Sequence, residues 1–541
     1  MALLGNLKGS AQVFQDTDFY NGVATQSLRF DDGSSPELTF TPSSAGNRKT
    51  NTFSVWVKRG IIGTNQNILK VAGNNDTTRF DFYFDSNDDL NIAGQSTYFR
   101  LTDAKYRDVG SWYHFVVAFD TTQSTANDRL KIYQNGTQIT SFSTNNAFSQ
   151  NTDYALSNTV EHQIGKGYGF FDGYMAEINF VDGLQLDPTY FGETKNGVWI
   201  PKPPSVTYGT NGYRLQFKQT GTGTASASTI GADTSGNDNH YTSTNLVASD
   251  SNMPDSPENN FATLNSLTAP GGSLEYLKGN LKITRGSVDA YSLAMSTLAV
   301  KTGKWYAELR PQGTITANNH MVGVCITNVK DQSSGDPYLE NGQINYVAFG
   351  NGHVDDGGSI NASTFSGSTS FGAGDIIGVA LDLDSGTRTV KFYKNNSLVN
   401  TSSYGNLSSE FDNEDIGFMS ILFGTNTCVW NFGQDSTFAG QISAGGNADG
   451  NGIGDFAYSP PSGYLALCSA NLPEPTIGPN SATQADDHFN TVLWTGNGSN
   501  SHGITSVGFK PDWVWIKERG NASSNYLIDS SRGLGTGDSF R

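Results

Sequence analysis

Short runs of alternating apolar and polar residues, each closed by turn formers, are the feature that most limits how this chain folds. Phe53-Ser-Val-Trp-Val-Lys58 alternates at every second position, which places its apolar side chains on one face of a strand. Trp112-Tyr-His-Phe-Val-Val-Ala-Phe119 is a longer run, suited to a strand covered on both faces. Arg129-Leu-Lys-Ile-Tyr-Gln134 alternates again, runs into Asn135-Gly136 and continues as Thr-Gln-Ile-Thr. That is a hairpin signal, because both central residues of a type I′ turn need positive φ, which Asn and Gly tolerate. No segment keeps a helical period with good helix formers for three turns; residues 289–299 offer one or two turns at most, and no sustained heptad is present. Many short strands between turn clusters indicate sandwiches or barrels, so the expected class is all-β.

The length of 541 residues implies about three to five domains. Apolar residues are only 36% of the chain, but aromatics reach 12%, which a disordered chain lacks. Composition shifts then divide the sequence into an N-terminal segment 1–25, a strand-rich block 26–200, a connector 201–275 opened by Pro201-Lys-Pro-Pro204, a second strand-rich block 276–434, a linker 435–487 and the start of a third β-rich module at 488–541. The expected architecture is therefore two jelly-roll-like β-sandwiches in series, joined by long connectors and followed by a partial module. About 50 residues is short for an independent core, so that last module is expected to be cut off or completed by another chain. The two blocks echo each other. Ala118-Phe-Asp120 precedes Leu130-Lys-Ile-Tyr-Gln-Asn-Gly136, and Ala380-Leu-Asp382 precedes Val390-Lys-Phe-Tyr-Lys-Asn-Asn396. The differing spacing favours two sandwiches solving one hairpin problem over a recent duplication.

Several function classes are disfavoured. A formal charge of −18, with no basic cluster, is the wrong sign for neutralising phosphates, so neither a nucleic-acid partner nor an anionic membrane surface is expected. Cys325, Cys428 and Cys468 are too few and too scattered for a disulfide framework or a zinc site; Cys325 and Cys428 read as small core residues. No run of about 18 apolar residues exists to span a bilayer. Met1-Ala-Leu-Leu-Gly-Asn-Leu-Lys8 lacks a secretory h-region, so the triplets at Asn135 and Asn361 read as by-products of composition.

Catalytic chemistry finds little footing. A glycanase needs two carboxylates about 5–9 Å apart across one bond. Glu177 and Asp182 are five positions apart, which on an uninterrupted strand sets them on opposite faces. Asp81, Asp85, Asp88 and Asp89 crowd one stretch; oxygen-rich loops suit calcium, but a polar strand and turn is the preferred reading, and the same holds for Asp120 and Asp172. His114 reads as a hydrogen-bonded structural residue. His240 has no Ser or Asp motif around it, and Gly165-Lys-Gly-Tyr-Gly169 lacks the ending and helix of a phosphate loop. Trp513 and Trp515 share a strand face; core is preferred over sugar stacking. No catalytic or cofactor-binding residue is assigned, and the metal ligands of any structural calcium stay unassigned.

Family patterns add to this. Ser27-Leu-Arg-Phe30, Phe53–Lys58, Gly110-Ser-Trp-Tyr-His-Phe-Val-Val-Ala-Phe-Asp120, Lys131-Ile-Tyr-Gln-Asn-Gly136 and Phe171-Asp-Gly-Tyr-Met-Ala-Glu-Ile178 resemble the laminin-G-like, concanavalin-A-like jelly roll. Gly303-Lys-Trp-Tyr-Ala-Glu308, Val322-Gly-Val324, Gly374–Asp384, Val390–Asn396 and Asn431-Phe-Gly433 resemble a SPRY domain, a protein-binding sandwich, with Asn396 where glycine is commoner. Asp233–Tyr241, Asp255–Asn265 and Pro460–Cys468 resemble segments of structural proteins of marine bacteriophages, which string together such a pair of sandwiches and a C-terminal module of unknown function. The resemblance implies a virion protein, assembled in the host cytoplasm, that is non-enzymatic. It implies a tail fibre or adhesion component recognising a host glycan or protein, or a capsid-decoration or tail component binding other virion proteins; a depolymerase is the remaining alternative. Family habit implies a homo-oligomer, with a trimer expected.

Overall fold

The computed structural model describes residues 19–267, 274–286, 291–313, 315, 320–327, 370–399, 411–473, 483, 485–499 and 502–531, together with the backbone of the strands Gln343–Val347 and His353–Asp355. Met1–Lys8 and Asn361 lie outside the described residues. The chain is all-β: among the described residues helix is confined to 3-10 turns of three or four residues. None is long and apolar enough to cross a membrane.

The first sandwich faces a seven-stranded inner sheet against an eight-stranded outer sheet. The inner sheet is ordered Leu28–Phe30, Gly173–Asp182, Thr50–Arg59, Tyr113–Asp120, Leu130–Gln134 and Thr137–Gln138, with Tyr213–Leu215 also on the closing strand Gly173–Asp182. The outer sheet runs Phe142–Asn145, Tyr98–Lys105, Asp89–Ala93, Arg79–Phe84, Gln66–Ala72, His162–Ile164, Glu37–Phe40 and Thr242–Thr244. The alternation read at Phe53–Lys58 packs Phe53, Val55 and Val57 into the core between the sheets, where Phe80, Phe82, Phe84, Phe115 and Val117 meet them.

The second sandwich pairs an eight-stranded sheet, built around Lys304–Gln312, Ile377–Asp382 and Thr427–Asn431, with a five-stranded sheet built around Ile416–Phe423 and His320–Ile326. Trp305, Leu309, Phe418, Trp430 and Phe432 fill its core. Cys325, Cys428 and Cys468 are free and buried, and burial pushes each thiol up to about 12.

Two expected boundaries differ. Residues 201–275 are not a separate connector. Tyr213–Leu215 and Thr242–Thr244 add one strand to each sheet of the first sandwich, and Tyr213, Leu215, Phe217, Ile230, Tyr241 and Leu246 join its core. The strands are three residues long, too short for alternation to announce them. Likewise the segment 435–472 is no free linker. Phe456, Tyr464, Ala466 and Cys468 pack with Phe261 and Tyr306 on the second sandwich, and Leu465–Ala466 pairs with its central strand. Both sandwiches therefore belong to one compact unit, Met1–Thr194 with Trp199–Pro473; Lys195–Val198 with Glu474–Arg541 form the other.

Candidate functional site

The outward face of the inner sheet is closed by the chain itself. Leu28 and Phe30 point into the core, so Arg29 points out, in register with Tyr174 and Lys58. The guanidinium of Arg29 meets Asp435 at 2.7 Å and Asp250 at 3.0 Å. Lys58 Nζ meets Asp255 Oδ2 at 2.8 Å and donates to Asn260 Oδ1 and the Phe261 carbonyl. Tyr174 Oη donates to the Gly279 carbonyl at 3.0 Å. Arg29, Lys58, Tyr174 and the three carboxylates are buried. They join the first sandwich to the second.

Further along, His114 stacks on Trp56 with ring centroids 4.6 Å apart. Its Nδ1 accepts from Trp199 Nε1 at 2.9 Å, which leaves Nε2 to donate to Ser54 Oγ at 2.9 Å. Burial lowers its pKa to about 3. The ring is neutral and structural, as expected. His240 Nδ1 accepts from the Asp233 amide, and Gly165 lies under the Phe30 ring, a loop glycine and not a phosphate cradle.

The outer sheet turns a different face to solvent. With Phe80, Phe82 and Phe84 in the core, Arg79, Asp81 and Tyr83 point outward. Register aligns Tyr98, Ala93, Asp81, Lys70, Gln163 and Thr39 in one row across the sheet, and Asn91, Tyr83 and Asn67 in the next. The loop at Tyr168 folds onto this face: its amide donates to Asn67 Oδ1 at 2.6 Å. The Tyr168 ring lies 5.1 Å from that of Tyr83 and 4.7 Å from the Arg79 guanidinium. Arg79 is held by Asp81 at 2.5 Å and by Gln95 at 2.8 Å, while Asn91 Oδ1 is buried without a hydrogen bond. Tyr98 and Tyr168 remain 53% and 46% exposed. Two exposed aromatic rings, with the Arg79 guanidinium beside Tyr168, offer a stacking surface to a ligand, while Asp81 and Asn91 are buried beneath them.

The acidic residues of the 81–89 stretch are spoken for. Asp88 binds Arg59 and Arg107, Asp89 binds Lys105, and Asp85 Oδ1 accepts from the Asn87 and Asp89 amides. Asp120 and Asp172 lie near opposite ends of the ten-residue strand Thr50–Arg59, which at about 3.3 Å per residue puts them roughly 30 Å apart. Asp120 serves Thr50, Thr122 and Gln123. Glu177 and Asp182 do not sit on an uninterrupted strand, because the register slips between Ala176 and Asn179 and Glu177 takes φ 45°. Glu177 pairs with Arg214 and Asp182 accepts from the Asn47 and Asn211 amides, so neither is available to a substrate.

Asp172 belongs instead with Asp31 and Asp32, their ligand atoms all within 4.8 Å of one another. Asp172 is fully buried and neither carboxylate oxygen has a hydrogen-bond partner. Burial first, and then the charges of Asp32 and Asp31, raise its pKa well above the usual range. Lys278 meets Asp31 at 2.7 Å, leaving two carboxylate charges uncompensated. Asn280 Oδ1 is also buried without a partner, while its amide donates to the Gly60 carbonyl at 2.6 Å. A Cβ on Gly60 would come within 1.9 Å of Asp172 Oδ1 and 3.2 Å of Asn280 Oδ1. All-oxygen donors with two excess negative charges suit a hard divalent cation such as calcium. Asn280 and Lys278 come from the second sandwich, so the cluster spans the junction. The doublet Asp31-Asp32 directly after a strand was its one sequence signal; Tyr98 and Tyr168 carried none.

In the second unit, Trp513–Ile516 pairs with Tyr526–Asp529. Trp513 and Trp515 are 51% and 61% exposed, so they are not core: a two-stranded hairpin has no second layer to bury them.

Residues 32–184 match the profile of the concanavalin A-like lectin/glucanases superfamily (laminin-G type), and residues 484–537 match a domain of unknown function, DUF7483. No curated protein matches the chain. Among solved structures it is similar to the SPRY domain of human HERC1, at 17% identity over 31% of this chain and 94% of that one, with a TM-score of 0.24. It is similar to the TRIM65 PSpry domain at 12% identity, over 32% and 89%, with a TM-score of 0.24. A heptameric SAP-like pentraxin from Limulus polyphemus matches at 17% identity, over 30% and 76%, with a TM-score of 0.22.

Proposed function

We propose that this chain is a non-enzymatic fibre or adhesion protein of a bacteriophage virion, holding a host surface glycan on the solvent face of the outer sheet. The observation that carries the glycan reading is the pair of exposed rings, Tyr98 and Tyr168, the latter over the Arg79 guanidinium. The laminin-G-type match over residues 32–184 is consistent with it. The virion placement rests on the sequence resemblance of the connectors and of the domain order. Weak single-site binding would be multiplied by several copies in a homo-oligomer, a trimer by family habit.

The test is binding of the full chain to an array of bacterial surface glycans, followed by adsorption interference on a host bearing the ligand. Tyr98→Ala and Tyr168→Ala are expected to abolish both signals while leaving the melting temperature unchanged. Equal binding by wild type and both variants would sink the assignment. Release of reducing ends from the bound polysaccharide would replace the adhesin with a depolymerase.

A second reading, a capsid-decoration or tail component that binds other virion proteins, is favoured by one observation. Phe489, Leu493, Trp494, Trp513, Trp515 and Tyr526 are all exposed within one short segment, an apolar surface of the kind that partners cover. Locating the protein in the virion with a label at this segment separates the readings: a buried label supports the structural component, a distal one the adhesin.

A further inference from the structure

The second sandwich carries a cationic groove on the outward face of its eight-stranded sheet. Ile283, Leu309, Cys428 and Trp430 fill the core. Lys282 and Arg310, both register partners of Val429, stand on the opposite face. One strand separates them, so their backbones lie about 10 Å apart. The groove has a volume of about 580 Å³, and its further lining includes Lys278, Gln312, Gly374 and Gln441. No carboxylate among the described residues lines it, in a chain whose formal charge is −18.

The cations are not equivalent. Lys278 is neutralised by Asp31 at 2.7 Å. Lys282 has no ion pair among the described residues, and neither does Arg310. Gln441 Oε1 accepts from Arg310 Nη1 at 2.5 Å, which fixes the plane of the guanidinium. Arg310 Nε is shielded from solvent and has no hydrogen-bond partner. A shielded N–H without an acceptor costs free energy that an incoming oxyanion returns. A guanidinium presenting such an edge fits a carboxylate, sulfate or phosphate, and Lys282 adds a second positive point charge from the far wall. Gln312 and Gln441 bring amides that suit hydroxyl groups, and Pro311, Ala373 and Ala439 complete a lining that holds no aromatic ring among the described residues.

We propose that this groove binds the acidic group of a charged saccharide, a uronate or a sugar sulfate, with Arg310 and Lys282 as the two recognition cations. The site is on a different sandwich from the Tyr98/Tyr168 face and stands or falls independently of it.

The experiment is titration calorimetry on the full chain at low ionic strength, with glucuronic acid, N-acetylglucosamine 6-sulfate, glucose, and inorganic sulfate and phosphate as probes. The acidic sugars are expected to bind at least tenfold more tightly than glucose and than either inorganic ion. Lys282→Gln is expected to weaken them about tenfold, and Lys282→Gln with Arg310→Gln to remove measurable binding. Lys282 is partly exposed, so the single variant keeps the test valid if the double one unfolds. Acidic and neutral sugars binding alike, or no loss in the Lys282→Gln variant, would overturn the proposal. Inorganic sulfate binding as tightly as the sulfated sugar would overturn the saccharide assignment.

Discussion

A carboxylate buried without a hydrogen bond is costly unless a cation or a proton compensates it. Asp172 is that group at the junction, and burial with the Asp32 and Asp31 charges holds its pKa well above the ordinary carboxylate range. Protons and a hard cation therefore compete for one place, since metal ligands must be deprotonated. Calcium chloride is expected to raise the melting temperature of the wild type by several degrees at pH 8 and by less at pH 5, read by differential scanning calorimetry. Asp172→Asn should abolish the increment; an equal increment in that variant would locate any calcium elsewhere. Glu308 offers a second pH readout. It accepts from the Ala457 and Tyr458 amides, and burial raises its pKa from 4.5 to about 7. The folded state binds this proton more tightly than the unfolded one, so its contribution is full below pH 4.5 and is lost as pH rises through about 7. Compared with Glu308→Gln, the wild type should lose on the order of 3 kcal/mol of stability across that window in urea titrations.

The two hairpins that echo each other in sequence share one device. Asn135 and Asn395 both take φ near the left-handed region, 46° and 47°. Asn135 Oδ1 accepts from the His114 amide and its own amide donates to the His114 carbonyl; Asn395 does the same with Ile376. Each side chain so extends the ladder by one pair onto the neighbouring strand. The following residue differs for a local reason. A Cβ on Gly136 would come within 2.5 Å of Trp199, whereas Asn396 holds φ 66° with its side chain exposed. Gly136→Asn is therefore expected to destabilise by about 1–3 kcal/mol through overpacking, and Asn396→Gly to stay within about 0.5 kcal/mol, both measured by chemical denaturation. A reversed order would mean that the Trp199 contact does not constrain the turn. These hairpins were legible because alternation and Asn-Gly act within a few residues. The three-residue strands at Tyr213–Leu215 and Thr242–Thr244 were not, since pairing with Gly173–Asp182 and Glu37–Phe40 creates them. For the same reason Asp81 and Tyr83 could be placed on one face of a strand, but not under the distant Tyr168.

At the scale of the whole molecule, the junction decides whether two sandwiches behave as one body. Arg29, Lys58 and Tyr174 project from adjacent strands of the first sandwich into groups carried by Asp250, Asp255, Gly279 and Asp435. Burial opposes the charge on Arg29, but Asp435 and Asp250 outweigh it and its pKa is raised. Such a network adds little net stability over an apolar interface, yet losing one partner strands the others without solvent. Tight backbone approach reinforces it, as a Cβ on Gly279 would meet the Tyr174 ring at 2.6 Å. The unit Met1–Thr194 with Trp199–Pro473 is thus expected to melt in a single calorimetric transition despite holding two cores. Arg29→Met leaves Asp250 and Asp435 buried and unpaired; it should cost about 3–5 kcal/mol and split the transition into two. A single, merely lowered transition in Arg29→Met would instead assign the coupling to the remaining contacts of the junction, Lys58 with Asp255 and Tyr174 with the Gly279 carbonyl.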